Sequence, residues 1–150
     1  MKAIVFPILA MTVGLGVANA SGPIAVYALV DKVAFEPNAD KLERIRITGV
    51  FITAQQSGDV YSAPQRGYLY LALPAMNTDI ARREWSDLKS IAGSRQVIGF
   101  GSNWMSQIHV RVRKPDEDPK SPEEYPLGNG IVKINADHPK AKALLEYKDR

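Results

Sequence analysis

The stretch "GYLYLALPAMNTDIARREWSDLKSIAGSRQVIGFG", residues 67 to 101, decides the predicted fold because its apolar residues change their spacing twice. "GYLYLALP" alternates, with Leu69 and Leu71 on one face and Tyr68 and Tyr70 on the other, which is typical of a β-strand. "NTDIARREWSDLKSIAG" repeats its apolar residues at helical spacing and ends on a glycine, so it predicts a helix. "RQVIGFG" predicts a short strand. The stretch therefore predicts a strand, a helix and a strand in that order.

Two longer strands are predicted before this stretch. "GPIAVYALVDKVAFEP" predicts a first strand from Ile24 to Phe35, which ends before Pro37. "RIRITGVFITA" predicts a second strand, and Gly49 stands where its alternation gives way to a continuous apolar run. A glycine at such a point indicates a bulge or a bend. "QQSGDVYSAPQR" predicts the loop that joins the second strand to the third.

The chain after residue 101 predicts further strands and a final helix. "QIHVRVR" alternates and predicts a strand, with Ile108, Val110 and Val112 inward and His109, Arg111 and Arg113 outward. "KPDEDPKSPEEYPLGNG" carries four prolines, so it predicts an exposed loop or a segment pinned by Tyr125. "IVKI" predicts a last short strand, and "DHPKAKALLEY" predicts a short helix with Asp137 as its N-cap.

The predicted fold class is mainly β. Five strands with a helix between the third and the fourth predict a small Greek-key barrel of the OB-like kind over residues 21–114. A long first strand and a glycine in the first hairpin fit such a barrel, because a small barrel needs strongly coiled strands. Residues 115–150 are predicted to pack on the same domain as an extension. An SH3-like barrel or a β-sandwich is the alternative.

The first twenty residues predict a secretory signal peptide. Lys2 supplies a positive start, "AIVFPILAMTVGLGV" supplies a short apolar core, and "ANA" supplies the small residues of a cleavage site after Ala20. The expected mature chain then begins at Ser21 and is periplasmic or extracellular. An uncleaved N-terminal anchor is the alternative. No later stretch is long and apolar enough to predict a membrane span.

Four pieces of the chain resemble a known family. "SGPIAVYALVDKV", "RIRITGVF", "PQRGYLYLALP" and "REWSDLKSIAGSRQVIGFGS" resemble a family of small exported bacterial proteins whose activity is uncharacterised. The resemblance covers most of residues 21–112 and implies one exported domain, and it transfers no catalytic residue. The predicted architecture is also similar, at the level of fold alone, to the small periplasmic OB-fold proteins of Gram-negative bacteria.

Composition and motifs predict neither an enzyme nor a bound cofactor. The chain has no cysteine, which excludes thiol catalysis, iron–sulfur clusters and cysteine-ligated zinc. His109 and His138 lack the spacing of a zinc site, and no calcium-loop pattern is present, so no metal is predicted. There is no G-x-S-x-G elbow. The net charge of +3 falls to +2 without Lys2, which is too small to require a polyanionic partner.

The glycine pair in "GFGSNW" raises the question of a phosphate loop. A dinucleotide fingerprint needs G-x-G-x-x-G followed by a helix, but here Trp104 takes the place of the third glycine. The following "QIHVRVR" predicts a strand rather than a helix, so no helix N-terminus would face a phosphate. Gly99 and Gly101 are therefore interpreted as a bend in a strand, with Phe100 in the core.

A basic stripe beside aromatic residues predicts the binding site. OB-folds bind oligomers by combining cations with exposed aromatic platforms. The predicted ligand-binding residues are Arg66, Tyr68, Tyr70, Trp104, His109, Arg111 and Arg113. The alternative is an ordinary solvated face, or one whose arginines pair with the acidic "DEDPKSPEEY" loop. An exported protein meets little nucleic acid, so nucleic acid is not the predicted ligand.

These features predict an exported, non-catalytic binding domain. Its ligand would be anionic, an oligosaccharide or another envelope protein, held on the face of the second and third strands. The alternative is a structural or assembly component that docks a partner through residues 115–150. A small hydrolase is the third possibility, and it has no assembled motif to support it.

Overall fold

The computed structural model describes residues 24–37, 43–55, 60–72, 78–101, 110–118, 124–126 and 131–150. The strands are β1 (Ile24–Pro37), β2 (Glu43–Thr53), β3 (Gln65–Ala72), β4 (Ile98–Gly101), β5 (Glu124–Pro126) and β6 (Ile131–Lys133), and the helices are α1 (Thr78–Ile91) and α2 (Pro139–Asp149). Residues 1–20, the predicted signal peptide, lie outside the described part. None of the helices in these ranges has the length and apolar character needed to cross a membrane.

The strands form one sheet in the order β5-β3-β2-β1-β4-β6. The pairs β3–β2, β2–β1, β1–β4 and β4–β6 are antiparallel, and β5 runs parallel to β3. The mainly β class and the helix between the third and fourth strands are confirmed. Within the described ranges, no strand pairing joins β5 to β6, so the sheet is not closed into a barrel. The OB-like Greek-key arrangement therefore stays a prediction.

The hairpin of β1 and β2 contains a bulge. Val30 pairs with Gly49 and Lys32 pairs with Thr48, so Asp31 is an extra residue in β1. Gly49 thus marks the irregularity as predicted, but the inserted residue lies in the partner strand. A Cβ on Gly49 would overlap the carbonyl oxygen of Leu29, so the close approach of β1 at this point requires glycine.

Both faces of the sheet are covered, which gives the domain two apolar cores. On the α1 face, the buried residues are Ala25, Val26, Ala28, Val30, Ile45, Ile47, Phe51, Leu69, Leu71, Leu88, Ile91, Ile98, Phe100 and Val110. On the α2 face they are Tyr27, Leu29, Val50, Ile52, Val97, Ala141 and Leu144. The predicted alternation of Leu69 and Leu71 against Tyr68 and Tyr70 is confirmed, but the second face is not open to solvent.

The ends of the two helices follow simple chemistry. Gly93, after α1, has a φ of 81° and donates its N–H to the carbonyl oxygen of Val30 at 2.9 Å. This is the left-handed position that the sequence predicts. The predicted N-cap of α2, Asp137, is wrong: His138 caps the helix, because its Nδ1 accepts the N–H of Lys140 at 3.1 Å while Pro139 opens the first turn.

The glycine pair of "GFG" lies inside the sheet. Strand β4, which ends at Gly101, pairs with β1 on one side and with β6 on the other. Phe100 is in the core, as predicted. A Cβ on Gly99 would lie 3.0 Å from Ile24 Cγ2 and 3.2 Å from Ile134 Cδ1. Gly99 therefore leaves room for one side chain from β1 and one from the residue after β6, which supports the interpretation as strand geometry.

Residues 110–118 do not form the predicted strand. Val110 is buried as expected, but the segment meets the sheet through one isolated bridge between Tyr68 and Arg113. The two residues exchange backbone hydrogen bonds, each of 2.9 Å. Arg113 is only 9% exposed, so its predicted outward position is wrong. The segment meets β3 on the side away from β2, and the nearly buried side chain of Arg113 pairs with Glu117.

Candidate functional site

The predicted site residues separate into three groups. Trp104 and His109 lie outside the described residues, so the predictions for them are not addressed by the structure. Tyr68 and Tyr70 lie on the α2 face of β3. Arg66, Arg111 and Arg113 each take part in an ion pair.

The expectation that Tyr68 and Tyr70 are exposed stacking platforms is wrong. Their exposed fractions are 0% and 1%, and their rings meet edge to face with centroids 5.8 Å apart. The guanidinium of Arg46 lies 4.0 Å from the centroid of Tyr68, and that of Arg44 lies 4.1 Å from the centroid of Tyr70. The arginines of β2 thus cover the tyrosines of β3 through cation–π contacts.

Arg44 and Tyr70 share one carboxylate. Arg44 Nη2 donates to Glu36 Oε1 at 3.2 Å. Burial raises the pKa of Tyr70, and its hydrogen bond with Glu36 raises the pKa further. Arg44 Nε is buried and has no hydrogen-bond partner among the residues described. Glu36 is therefore engaged from two sides, and one donor beside it remains unsatisfied.

Arg66 takes part in an ion-pair network that joins β3 to α2. Its Nη1 donates to Asp31 Oδ2 at 2.9 Å, and Lys148 Nζ of α2 donates to the other oxygen at 2.8 Å. Asp31 is the extra residue of the β1 bulge, so the bulge joins β3 to α2. Both contacts are partly exposed, so each contributes modestly to stability.

The acidic loop pairs with the basic stripe through one residue. Glu117 Oε1 accepts from Arg111 Nη2 at 2.6 Å and from Arg113 Nη1 at 3.1 Å. Glu117 Oε2 accepts the backbone N–H of Lys114 at 3.1 Å. The hydrogen bond from Arg111 is the main reason that the pKa of Glu117 lies below its ordinary value, and the nearby N–H and positive charges act in the same direction. Arg111 and Arg113 therefore pair with the acidic loop, which is the alternative that the sequence analysis gives for the basic stripe.

A polar cleft of about 390 Å³ adjoins this pair. One wall consists of amide and hydroxyl side chains from the end of β2 to the start of β3: Thr53, Gln55, Ser62 and Gln65. The other wall carries Arg111, Lys114 and Glu117, and the remaining lining residues are Val110 and Val112. We refer to this site as the polar cleft. It combines neutral donors and acceptors with a cation that is already paired.

The neutral wall of the polar cleft is held by its own hydrogen bonds. Gln65 Nε2 donates to Ser62 Oγ at 3.3 Å, and the backbone N–H of Thr53 donates to the same oxygen at 3.0 Å. Ser62 Oγ donates to the carbonyl oxygen of Ala63 at 2.9 Å. The proton of Ser62 thus faces a carbonyl group rather than a general base, which is not the arrangement of an activated nucleophile. Ser62 is therefore occupied by the hydrogen bonds of the wall itself.

The sequence analysis missed the neutral wall, and it predicted pairing with the acidic loop without singling out Glu117. It searched for charges and aromatic rings, whereas the cleft uses glutamine, serine and threonine from the loop "QQSGDVYSAPQR". The many amide and hydroxyl side chains of that loop are the feature of the sequence that could have predicted this wall. In the part of the chain that the structure describes, no group of three or more acidic, histidine or cysteine side chains lies together to hold a metal ion.

Comparison with known proteins gives no match: no family model, no curated protein and no solved structure is similar to the chain at the required significance. The residues of the polar cleft and the fold that positions them are therefore the features from which a function can be inferred.

Proposed function

We propose that the chain is an exported, non-catalytic binding domain whose polar cleft holds an uncharged, hydroxyl-rich oligomer such as a short oligosaccharide. The observation that carries the proposal is the composition of the cleft. Four neutral hydrogen-bonding side chains line the cleft together with two cations, of which Arg111 is already paired with Glu117 and Lys114 carries the second charge. A cleft of this kind matches many hydroxyl groups better than it matches a strong anion, because the carboxylate of Glu117 offsets one of its two positive charges.

The size and position of the polar cleft support the same ligand. A volume of about 390 Å³ lies at the lower end of the range typical of small-ligand sites. OB-folds hold oligomers on the face of strands 2 and 3. The cleft lies where β2 ends and β3 begins. The helix between β3 and β4, and the pairing of β1 with both β2 and β4, support an OB-like relationship.

The test is a titration of the full chain with short neutral oligosaccharides and with acidic ones of equal length. Amide-resolved NMR should show saturable shifts at Gln55, Gln65 and Arg111 with the neutral set. Gln65→Ala should weaken binding about fivefold or more, since it removes one neutral hydrogen bond from the wall. Arg95→Gln is the matched control, because it breaks an exposed ion pair with Asp149 that does not line the cleft.

Two outcomes contradict the proposal. Shifts that are absent at the cleft for every oligosaccharide would remove this ligand class. Tighter binding of the acidic set, with a strong salt dependence that Arg111→Gln abolishes, would make the ligand anionic instead.

The alternative, docking of a partner through residues 115–150, has less support. Helix α2 buries Ala141 and Leu144 against the sheet, and Lys148 and Asp149 tie its last turn to Asp31 and Arg95. This helix face is therefore used within the domain.

A further inference from the structure

A second recess lies on the α2 face, toward the far end of the β1–β2 hairpin. It has a volume of about 360 Å³ and is lined by Lys32, Ala34, Glu36, Arg46 and Thr48. We refer to it as the basic groove. It shares no lining residue with the polar cleft, so it is a separate feature of the molecule.

The register of the hairpin brings two cations together in the basic groove. Lys32 pairs with Thr48 and Ala34 pairs with Arg46, so Lys32 and Arg46 are diagonal neighbours on one face. The backbones of such neighbours lie about 7 to 8 Å apart, within reach of long side chains. A tetrahedral oxyanion fits between two cationic groups at this spacing, and Thr48 adds a hydroxyl donor.

Neither cation of this pair is neutralised by a carboxylate among the described residues. Arg44, Arg66 and Lys148 each have an ion-pair partner, whereas none of the carboxylates that the structure describes pairs with Lys32 or Arg46. Glu36 also lines the groove, but it accepts from Arg44 at 3.2 Å. The positive charges of Lys32 and Arg46 are therefore left in excess within the groove.

Arg46 is held in place before any ligand arrives. Its guanidinium lies 4.0 Å from the centroid of the Tyr68 ring. That ring is fully buried, and its hydroxyl donates to the carbonyl oxygen of Glu117 at 2.7 Å. A planar guanidinium resting on a fixed ring loses little freedom on binding, and its fork of N–H groups matches the oxygens of a sulfate or phosphate.

A neighbouring donor also lacks a partner. Arg44 lies two residues from Arg46 on the same strand face, and its Nε is buried with no hydrogen bond to any described residue. A buried N–H of this kind carries a desolvation cost unless something accepts it. Arg44 does not line the groove, so this buried donor adds positive charge beside it and is not itself a ligand. The groove's own cations, Lys32 and Arg46, are the groups that favour an oxyanion at this end of the hairpin.

We propose that the basic groove is an oxyanion site, with Arg46 and Lys32 as its principal ligands, which takes a sulfate or phosphate group. The group is either a free ion or part of a small phosphorylated or sulfated molecule. This site goes beyond the proposed binding of an oligosaccharide in the polar cleft and does not depend on it.

The experiment is an NMR titration of the full chain with sodium sulfate and sodium phosphate, in which chloride keeps the ionic strength constant. Saturable shifts are expected at the amides of Lys32, Ala34, Arg46 and Thr48. Arg46→Gln should weaken sulfate binding about tenfold or more, since it removes a charge-assisted fork. Lys32 is exposed, so Lys32→Gln will fold, and it should weaken binding several-fold. Glycerol phosphate separates the sources, because tighter binding than that of phosphate identifies a small organic ligand.

Two further variants separate binding from a structural effect. Glu36→Gln should strengthen sulfate binding, because it removes the one carboxylate that lines the groove. Arg95→Gln should leave the binding unchanged. The proposal is overturned if neither anion produces saturable shifts at the groove, or if Lys32→Gln and Arg46→Gln both bind sulfate as the unaltered chain does. Neither result would affect the oligosaccharide titration, whose signals come from other residues.

Discussion

Replacing Gly67 with alanine is expected to lower the free energy of unfolding by about 3 kcal/mol, because the added Cβ has no room. Built on Gly67, that carbon would overlap the carbonyl oxygen of Arg113 and lie 3.0 Å from its carbonyl carbon. It would also lie 2.8 Å from Val112 Cγ1. The first two obstacles are backbone atoms, so no change of rotamer relieves them. Residues 110–118 would have to move away from β3.

The expected magnitude follows from the contacts that such a movement breaks. Two backbone hydrogen bonds of 2.9 Å join Tyr68 to Arg113, and a third bond of 2.7 Å joins the Tyr68 hydroxyl to the carbonyl oxygen of Glu117. Each is worth about 1 kcal/mol net, which gives a loss of about 3 kcal/mol. The loss is a large part of the roughly 5–15 kcal/mol that stabilises a domain of this size.

Urea denaturation measures the loss, and hydrogen exchange at the amides of Tyr68 and Arg113 locates it. Gly93→Ala is the matched control, since Gly93 has a φ of 81° but no neighbour within 4 Å of a built Cβ. Backbone strain alone should cost the control about 1 kcal/mol. If Gly67→Ala loses no more than Gly93→Ala, or if exchange at Tyr68 is unchanged, the segment does not depend on the absent Cβ.

Three further predictions concern single side chains. Glu117→Gln should remove a part of the folding stability that depends on pH. The folded state lowers the pKa of Glu117, so its ionised carboxylate stabilises the fold at pH values above the ordinary pKa of 4.5. This contribution is lost as the pH falls through the lowered pKa. Urea midpoints of the variant and the unaltered chain should therefore differ near neutral pH and converge as the pH falls below the lowered pKa of Glu117; a difference that does not change with pH would contradict this. Leu144→Ala should cost about 2–5 kcal/mol in urea denaturation, because the side chain is fully buried against the sheet, and a loss below that range would mean that α2 repacks. His138→Ala should cost about 1 kcal/mol by removing the N-cap, whereas Asp137→Ala should be close to neutral; the reverse order in thermal denaturation would restore Asp137 as the cap.

Periodicity predicted most of the elements because it reports a local property. The alternation of Leu69 and Leu71 against Tyr68 and Tyr70 places the two sets on opposite faces of β3, as the structure shows. Alternation does not say whether the second face is covered. Here Arg46, from a neighbouring strand, covers Tyr68, so the side chains on both faces of β3 are buried although the sequence alternates.

The predicted outward position of the basic stripe is wrong at Arg113 for a related reason. A period of two assigns Arg111 and Arg113 to one outward face, but the segment leaves the strand geometry after a single bridge. Glu117, a few residues further on, then turns back to accept from both. Which acid of a loop reaches which arginine depends on the turn that the backbone makes, and local composition does not determine that turn.

The single extra residue of β1 has a consequence for how the chain tolerates changes in length. Before Asp31, odd-numbered residues such as Leu29 point to the α2 face; after it, even-numbered ones such as Lys32 do. A deletion of Asp31 would remove the bulge and keep both sides of the outer hairpin: Val30 would stay opposite Gly49 and Lys32 opposite Thr48, so Lys32 would still point to the α2 face. The bulge thus lets the hairpin lose one residue without a change of register. What such a deletion would remove is the carboxylate that joins Arg66 of β3 to Lys148 of α2.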